Sequence, residues 1–279
     1  MTDLHIHTAA SDGSDSPALL LENLRKAGIT TFSVTDHDTI DGALEMETLV
    51  TEEFRFIRGI EFSCETPAGK CHILGYNFDP KAPAFHAALA DGAALRQEKL
   101  LERLDYLERT LQITFTEAEV AWLNSQKSPG KPHFGKLLVD RCIAATIDEA
   151  IQKYINPHKP RRDRIDGSTA VAAILHAGGI PVWAHPLGGE GEKRLTVEKF
   201  KAQLAYLKEQ GIQGLECHYS RYTPEDCAFL TTLAEKNGLL ISGGSDYHGS
   251  NKQDLPLGRL CTDGSQPPRE ALTILKLLE

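Results

Sequence analysis

Paired cysteines, long apolar runs and an excess of positive charge are all missing from this sequence. Six cysteines lie scattered along 279 residues without a Cys-X-X-Cys pair, so neither a disulfide framework nor a thiolate zinc site is indicated. No apolar run approaches the roughly 20 residues needed to span a bilayer, and no basic segment followed by an apolar stretch opens the chain. We therefore expect a cytoplasmic protein without a membrane partner.

The charge balance is acidic, with a formal net charge of -9. Broad binding to duplex nucleic acid needs a basic face, so we expect no such partner. A small anionic substrate held by metal ions is compatible with this charge. Hydrophobic residues make up 41% of the chain, enough for one large globular domain or a domain with an insertion. Nothing in the sequence indicates an obligate protein partner.

Most of the chain alternates short β-rich runs with helices. Ser16, Pro17 and Gly28 predict the N-cap, first residue and end of the first helix. Further strands are predicted over 30–36, 54–62, 71–78, 179–185, 212–219, 239–244 and 257–263, with helices over 168–179, 196–211 and 223–238. Strands separated by crossover helices favour parallel pairing, and seven or eight such units favour a closed α/β barrel. An open doubly wound sheet is the structural alternative.

Residues 81–165 break this pattern, because they read as helical throughout. They carry 14 Lys and Arg against 11 Asp and Glu, a charge of +3, whereas the rest of the chain carries -12. We predict a helical, substrate-covering subdomain over 81–165, inserted into a barrel formed by 1–80 and 166–279. Basic residues cluster at 130–136 and 158–164, where they either contact phosphate or form a solvated surface.

The segment DLHIHT at residues 3–8 places His5 and His7 on one face of a strand and Leu4 and Ile6 on the other. Two imidazoles about 7 Å apart can bind one cation, although such a pair alone is weak evidence. Similar side chains recur after the other strands: Asp12, His37, Glu61, His72, His185, Asp246 and His248. A parallel barrel gathers strand ends at one mouth, where so many imidazoles and carboxylates would repel each other or lack partners. A multi-metal centre with nitrogen and oxygen ligands resolves this, and it fits Zn, Mn or Fe.

The motifs DLHIHTAASDG, VTDHDT, GIEFSCE, CHILGY, AHP, GLEC and GSDYHG, in this order, resemble the polymerase and histidinol phosphatase (PHP) family of metal-dependent phosphoesterases. The layout is most similar to a branch with a helical insertion between the CHILGY-like strand and the AHP motif. Members of that branch include nucleotide phosphatases acting on AMP or on 3',5'-bisphosphates. The resemblance implies a distorted seven-stranded TIM-like barrel that binds two or three divalent ions.

Carried over to this chain, the resemblance implies three metal sites. The ligands are His5, His7, Glu61 and Asp246 at the first site, Glu61, His72 and His185 at the second, and Asp12, His37 and His248 at the third. Asp12 stands where many relatives have histidine, an exchange that favours Mn or Fe. Tyr222 stands at a usual histidine position in ECHYSRYT, so no ligand role passes to Tyr222 or His218.

Such a centre would hydrolyse phosphate monoesters, because closely spaced cations generate hydroxide near neutral pH and neutralise the phosphoryl oxygens. Glu61 would bridge two ions. Either His248 or Asp36 would protonate the leaving oxygen, and Asp36 could instead orient the imidazole of His37.

Substrate contacts are expected mainly from the insertion. Pro132 predicts a helix start that places Lys131, His133 and Lys136 near an anion, and relatives have a similar GRPH-type stretch facing the active site. Further candidates are Ser220 and Arg221, with Arg161 and Arg162 for a second phosphate.

The expected substrate is a small phosphorylated compound, with nucleoside phosphates favoured. The alternatives are a histidinol-phosphate phosphatase, a short-oligonucleotide 5'-3' exonuclease, an amidohydrolase, which usually needs a bridging lysine, and a non-enzymatic metal-binding regulatory domain.

Overall fold

The computed structural model describes residues 1–126, 128–160, 164–189 and 194–278. The strands in these ranges are β1 (Thr2–Ile6), β2 (Thr31–Val34), β3 (Arg55–Thr66), β4 (Gly69–Tyr76), β5 (Ile165–Asp166), β6 (Ile180–Ala184), β7 (Gly214–Tyr219) and β8 (Leu240–Gly244). The helices are α1 (Pro17–Ala27), α2 (Asp41–Leu49), α3 (Pro83–Leu111), α4 (Glu117–Ser125), α5 (Lys131–Asp140), α6 (Ile147–Ala150), α7 (Gly167–His176), α8 (Val197–Gln210) and α9 (Pro224–Lys236). Shorter helical turns lie at Ile151–Ile155, Gly249–Lys252, Arg269–Ala271 and Thr273–Lys276.

The sheet runs in the order β1-β2-β3-β4-β6-β7-β8 and curls into a nearly closed barrel, with β5 paired to β3. Two backbone hydrogen bonds of 2.9 Å join its ends, from the N–H of His7 to the carbonyl of Tyr247 and from the N–H of Asp246 to the carbonyl of His5. A Cβ on Gly244 would collide with the backbone of His5, so this close approach requires glycine. The predicted distorted α/β barrel is confirmed, and the open doubly wound sheet is excluded.

Strand β4 is the exception to the expected parallel pairing. It runs antiparallel to both β3 and β6, because the turn between β3 and β4 is too short for a crossover helix. The prediction of parallel pairing was therefore wrong for this strand. The reversal places His72 opposite Ser63 of β3 and Ala184 of β6, so the early part of β4 lies where its neighbours end.

The strand predicted over 257–263 was also wrong, because these residues form turns and irregular backbone. Leu260 and Cys261 are buried, which explains the apolar pattern. Strand β8 is bonded to β7 and lies against β1, so it offers no free edge to another strand. The N–H of Thr262 instead donates to the carbonyl of Tyr222.

The helices follow their sequence signals. Ser16 caps α1 by accepting the N–H of Leu19, and Gly28 ends it at φ 68°. The insertion is helical as expected, with a core of its own made of buried residues between Leu100 and Ile155. The boundaries 81–165 stay a prediction. No helix in the described ranges has the length and apolar character that a membrane span needs.

Candidate metal centre

The carboxylate of Glu61 lies at the middle of the barrel mouth, fully buried among five imidazoles. Each of its oxygens faces a different group of ring nitrogens. Near Oε2 are His5 Nε2 at 3.2 Å, His7 Nε2 at 3.2 Å and His37 Nδ1 at 3.1 Å, and near Oε1 are His72 Nδ1 at 2.9 Å and His185 Nε2 at 3.1 Å. His72 Nδ1 and His185 Nε2 are 3.2 Å apart. One carboxylate on β3 thus joins ligand candidates from four other strands or strand ends.

Asp246, which follows the last strand, completes the first predicted group of metal ligands. Its Oδ1 lies 3.5 Å from His5 Nε2 and 3.2 Å from His7 Nε2. The hydroxyl of Tyr219 donates to Oδ2 at 3.2 Å and fixes the carboxylate. The backbone of Asp246 is left-handed, with φ 58°, and His185 has φ 29°, so strained backbone is retained at two places in the centre.

A further group surrounds Asp12. Its Oδ1 lies 3.2 Å from His248 Nε2 and 3.7 Å from His7 Nδ1, and its Oδ2 lies 3.9 Å from His37 Nε2. One potential ligand atom from each of these residues, His7, Asp12, His37 and His248, lies within 4.8 Å of those of the other three. The structure therefore brings together Asp12, His37 and His248, the three ligands predicted for the third site, with His7 beside them.

Hydrogen bonds fix which ring nitrogens face the centre. His5 Nδ1 donates to Glu216 Oε1 at 2.9 Å, since a carboxylate can only accept, and this leaves Nε2 facing the centre. His248 Nδ1 likewise donates to the carbonyl of Asp246 at 2.7 Å. Such partners orient metal-binding imidazoles and raise their basicity.

The electrostatics keep the carboxylates ionised and divide the imidazoles into two groups. Burial acts to lower the pKa of His5 and of His7, but Glu216 and Glu61 hold the pKa of His5 well above its usual value, and Asp246 and Glu61 raise the pKa of His7 to about 9. Burial works against the charge of Glu61, but His37, His5 and His72 hold its pKa well below the usual range. Burial lowers the pKa of His37 far below its ordinary value and also lowers those of His72 and His248. Neutral imidazoles and ionised carboxylates are the forms that bind cations.

Several buried atoms of the centre have no acceptable hydrogen bond to any described residue. They are His5 Nε2, both ring nitrogens of His7, His37 Nδ1, Glu61 Oε2 and His248 Nε2. Their close approach without hydrogen-bond geometry shows that they point toward shared positions, whereas buried polar atoms normally have partners. This donor set fits divalent cations.

The catalytic candidates occupy different places. His248 Nε2 faces the centre, as described above. The carboxylate of Asp36 instead accepts bonds from the N–H and hydroxyl of Thr8 and from the hydroxyl of Ser11. In the described ranges Asp36 makes no hydrogen bond to the ring of His37, so its observed contacts hold the loop after β1.

Of the candidates on α5, His133 is the one on which the charge of a predicted ligand, Asp12, is seen to act. His133 Nδ1 accepts the N–H of Gly130 at 3.0 Å; burial lowers its pKa, while the charge of Asp12 acts to raise it. Lys131 Nζ donates to Asn156 Oδ1 at 2.7 Å. Lys136 is 56% exposed and pairs with Asp140, so the structure gives no support to its predicted substrate contact.

The other substrate candidates have partners away from the centre. The buried hydroxyl of Ser220 contacts the carbonyls of Ser245 and Arg259 at 2.7 and 2.6 Å. Arg221 pairs with Asp254 at 2.7 Å. These contacts do not support a substrate role for Ser220 or Arg221. Arg161 and Arg162 lie outside the described residues.

Two groups at the centre had no predicted role. Glu216 is fully buried and also accepts the N–H of His185 at 2.7 Å; an acid inside the apolar run GLECHY was the available signal. Lys252 Nζ lies 3.8 Å from Asp246 Oδ2. With His37, Glu61, His72, His185, Gly189 and Asp246 it lines a cleft of about 40 Å³.

Comparisons with known proteins agree with this geometry. A 5'-3' exoribonuclease of Haemophilus influenzae is 30% identical over 88% of this chain and 89% of its own. A 3',5'-nucleoside bisphosphate phosphatase of Chromobacterium violaceum is 26% identical over 92% and 90%. A solved Bifidobacterium adolescentis protein, provisionally described as a metal-dependent phosphoesterase, has a TM-score of 0.83 at 26% identity and 99% and 96% coverage. The sequence profile of the PHP domain matches residues 3–156, and this chain therefore belongs to the PHP family of metal-dependent phosphoesterases.

Proposed function

We propose that this protein is a phosphoric monoester hydrolase that acts on nucleoside phosphates, either AMP or a 3',5'-bisphosphate. The observation that carries the proposal is the position of Glu61, with five imidazole nitrogens within 3.2 Å of its two oxygens. The Chromobacterium violaceum phosphatase, similar over 92% of this chain, supports the choice of substrate.

The three ligand groups predicted from the sequence would hold two or three ions of Mn, Zn or Fe. The first and second groups share Glu61, which would bridge them, and the third group is centred on Asp12. When bound, closely spaced divalent cations would lower the pKa of water and neutralise the charge on phosphoryl oxygens.

The protein groups around these sites have separate tasks. Glu216 and Tyr219 orient His5 and Asp246. The ammonium of Lys252 lines the cleft and would contact a phosphoryl oxygen, because charge-assisted hydrogen bonds to phosphate are strong. His248 is better placed than Asp36 to pass a proton to the leaving oxygen, since its Nε2 faces the centre.

A phosphate-release assay tests the proposal. Purified protein, stripped of metal and reloaded with Mn, Zn or Fe, should release phosphate from AMP or adenosine 3',5'-bisphosphate with a higher kcat/KM than from histidinol phosphate. Glu61→Gln should abolish release while the circular dichroism spectrum stays unchanged. Glu225→Gln, at an exposed position on α9, is the control. Release that survives Glu61→Gln would contradict the proposal.

A second candidate is exonucleolytic cleavage of short RNA. It is favoured by the Haemophilus influenzae exoribonuclease, at 30% identity, and by the basic charge of the insertion. The same enzyme should be given a 5'-phosphorylated RNA trinucleotide. Mononucleotides formed faster than free phosphate appears from AMP would favour the exonuclease.

A further inference from the structure

The loop that carries His185 has a backbone conformation that needs support from its surroundings. This His185 loop consists of residues 185–189, directly after β6. His185 has φ 29°, and its carbonyl accepts the N–H of Gly188 at 2.8 Å. The loop folds back so closely that a Cβ on Gly189 would lie 2.8 Å from His185 Nδ1. A residue other than glycine keeps a positive φ only where neighbouring contacts determine it.

Tyr222 supplies one of these contacts. The N–H of Leu187 donates to the hydroxyl of Tyr222 at 2.8 Å. Leu187 and Tyr222 are both buried, and a buried N–H that loses its acceptor is costly. The N–H of His185 donates to Glu216 at 2.7 Å. The His185 loop is therefore held at two backbone positions, on either side of Pro186.

Tyr222 is itself fixed in place. Its N–H donates to the carbonyl of Tyr219 at 2.9 Å, and its carbonyl accepts the N–H of Thr262 at 2.9 Å and the thiol of Cys261 at 3.2 Å. The rings of Tyr219 and Tyr222 meet edge to face at 5.0 Å, and the ring of Tyr219 lies 5.7 Å from that of His185. A residue held on its backbone and on its ring can impose its position on a loop.

We propose that Tyr222 is a positioning residue for the second metal site, whose hydroxyl holds the His185 loop so that His185 Nε2 stays beside Glu61 Oε1, 3.1 Å away. This inference rests on the ligand set in the proposed function. Without the hydroxyl, the loop would relax toward conformations that turn the imidazole away. The apparent affinity of the site then falls by the fraction of molecules that keep the imidazole in place.

The position of Tyr222 limits its effect to one site. Tyr222 is not among the described residues that line the cleft at the metal centre, and its link to the centre runs through the His185 loop. His185 is a predicted ligand of the second site alone. Loss of the hydroxyl should therefore weaken the binding of one ion and spare the rest.

Titration of metal-stripped protein with Mn in the presence of a chromogenic chelator tests the inference. Tyr222→Phe should lower the affinity for one ion per chain roughly tenfold, at the lower end of the range for groups that orient ligands. The affinities for the remaining ions should stay unchanged. Tyr154→Phe is the matched control, because it removes a hydroxyl that donates to the carbonyl of Ile143 within the insertion. It should bind Mn like wild type.

Two further measurements separate positioning from general packing. Tyr222→Phe/His185→Ala should bind Mn like His185→Ala, because no imidazole remains to be positioned. In the phosphate-release assay, Tyr222→Phe should need about tenfold more Mn for half-maximal activity. Its kcat at saturating Mn should return to the wild-type value, since excess Mn refills the site.

An unchanged Mn affinity in Tyr222→Phe would overturn the inference and leave the ligand set intact. The same holds if Tyr222→Phe still weakened Mn binding in the His185→Ala background. Weaker binding of every ion, together with a Tm below that of Tyr154→Phe, would show a general structural role and also overturn it. Wild-type protein that bound no Mn would contradict the ligand set and this inference together. Normal Mn binding without hydrolysis of any phosphoester would contradict the proposed function alone.

Discussion

Glu216 is a single buried carboxylate that fixes two residues of the metal centre at once. One oxygen accepts the ring N–H of His5 and the other accepts the backbone N–H of His185. Glu216→Gln keeps the size of the side chain but replaces one carboxylate oxygen by an amide NH2 group. This donor would face the ring N–H of His5 or the backbone N–H of His185. We expect the affinity for Mn to fall roughly 10- to 100-fold, as for other groups that orient ligands. Competition with a chromogenic chelator measures it. Glu225→Gln should bind like wild type, and an unchanged affinity in Glu216→Gln would contradict this role.

The sequence predicted the nine side chains that the structure brings together, because motif order and barrel topology suffice to place strand ends at one mouth. Their roles as ligands stay a prediction. Glu216 and Lys252 were missed for a physical reason: which side chain meets which across a barrel depends on strand register and twist. The contact between Glu216 and His5 joins residues 211 apart in the chain, and no local pattern encodes it.

At the scale of elements, a buried ion pair ties helix α3 of the insertion to the barrel. Arg96 Nε donates to Asp38 Oδ2 at 2.7 Å and Nη2 donates to Ser63 Oγ at 3.1 Å. The side chains of Arg96 and Asp38 are 9% and 3% exposed. Arg96→Met would leave a buried carboxylate without its cation, so the free energy of unfolding should fall by about 3–5 kcal/mol. Denaturant titration measures this change.

Two further variants separate the ion pair from general packing. Asp38→Asn/Arg96→Met should be less destabilised than Arg96→Met, because no unpaired charge remains buried. Arg25→Met removes an exposed pair with Glu53 and should change stability little. If the double variant lost as much stability as Arg96→Met and Asp38→Asn, measured separately, lose in sum, the pair would not act as a unit.

Strand existence was easier to predict than strand direction. The β-rich run CHILGY marks β4, but its antiparallel course depends on the link to β3. The segment TPAGK contains Pro67 and Gly69 and was an available hairpin signal. The false strand at 257–263 shows the converse: Leu260 is buried although it lies in irregular backbone, because an apolar pattern indicates burial but does not indicate hydrogen-bond partners.

At the scale of the whole molecule, the candidate metal centre joins the first strand of the barrel to the last. His5 of β1 and His7, which follows it, face Asp246, which follows β8, and these two strands close the barrel. An ion held across this closure binds the folded chain and not the separated strands, so it stabilises the fold by about 4 kcal/mol when its free concentration is 1,000 times Kd.

Removal of metal with a chelator should therefore lower the Tm by about 10 °C, and added Mn should restore it. Differential scanning calorimetry of stripped and reloaded protein measures the shift. Asp246→Asn should reduce the Mn-dependent part of the shift, because one ligand charge across the closure is lost. His86→Ala, at an exposed position on α3, should keep it. Equal Tm values for stripped and reloaded wild type would show that no ion bridges the first and last strands.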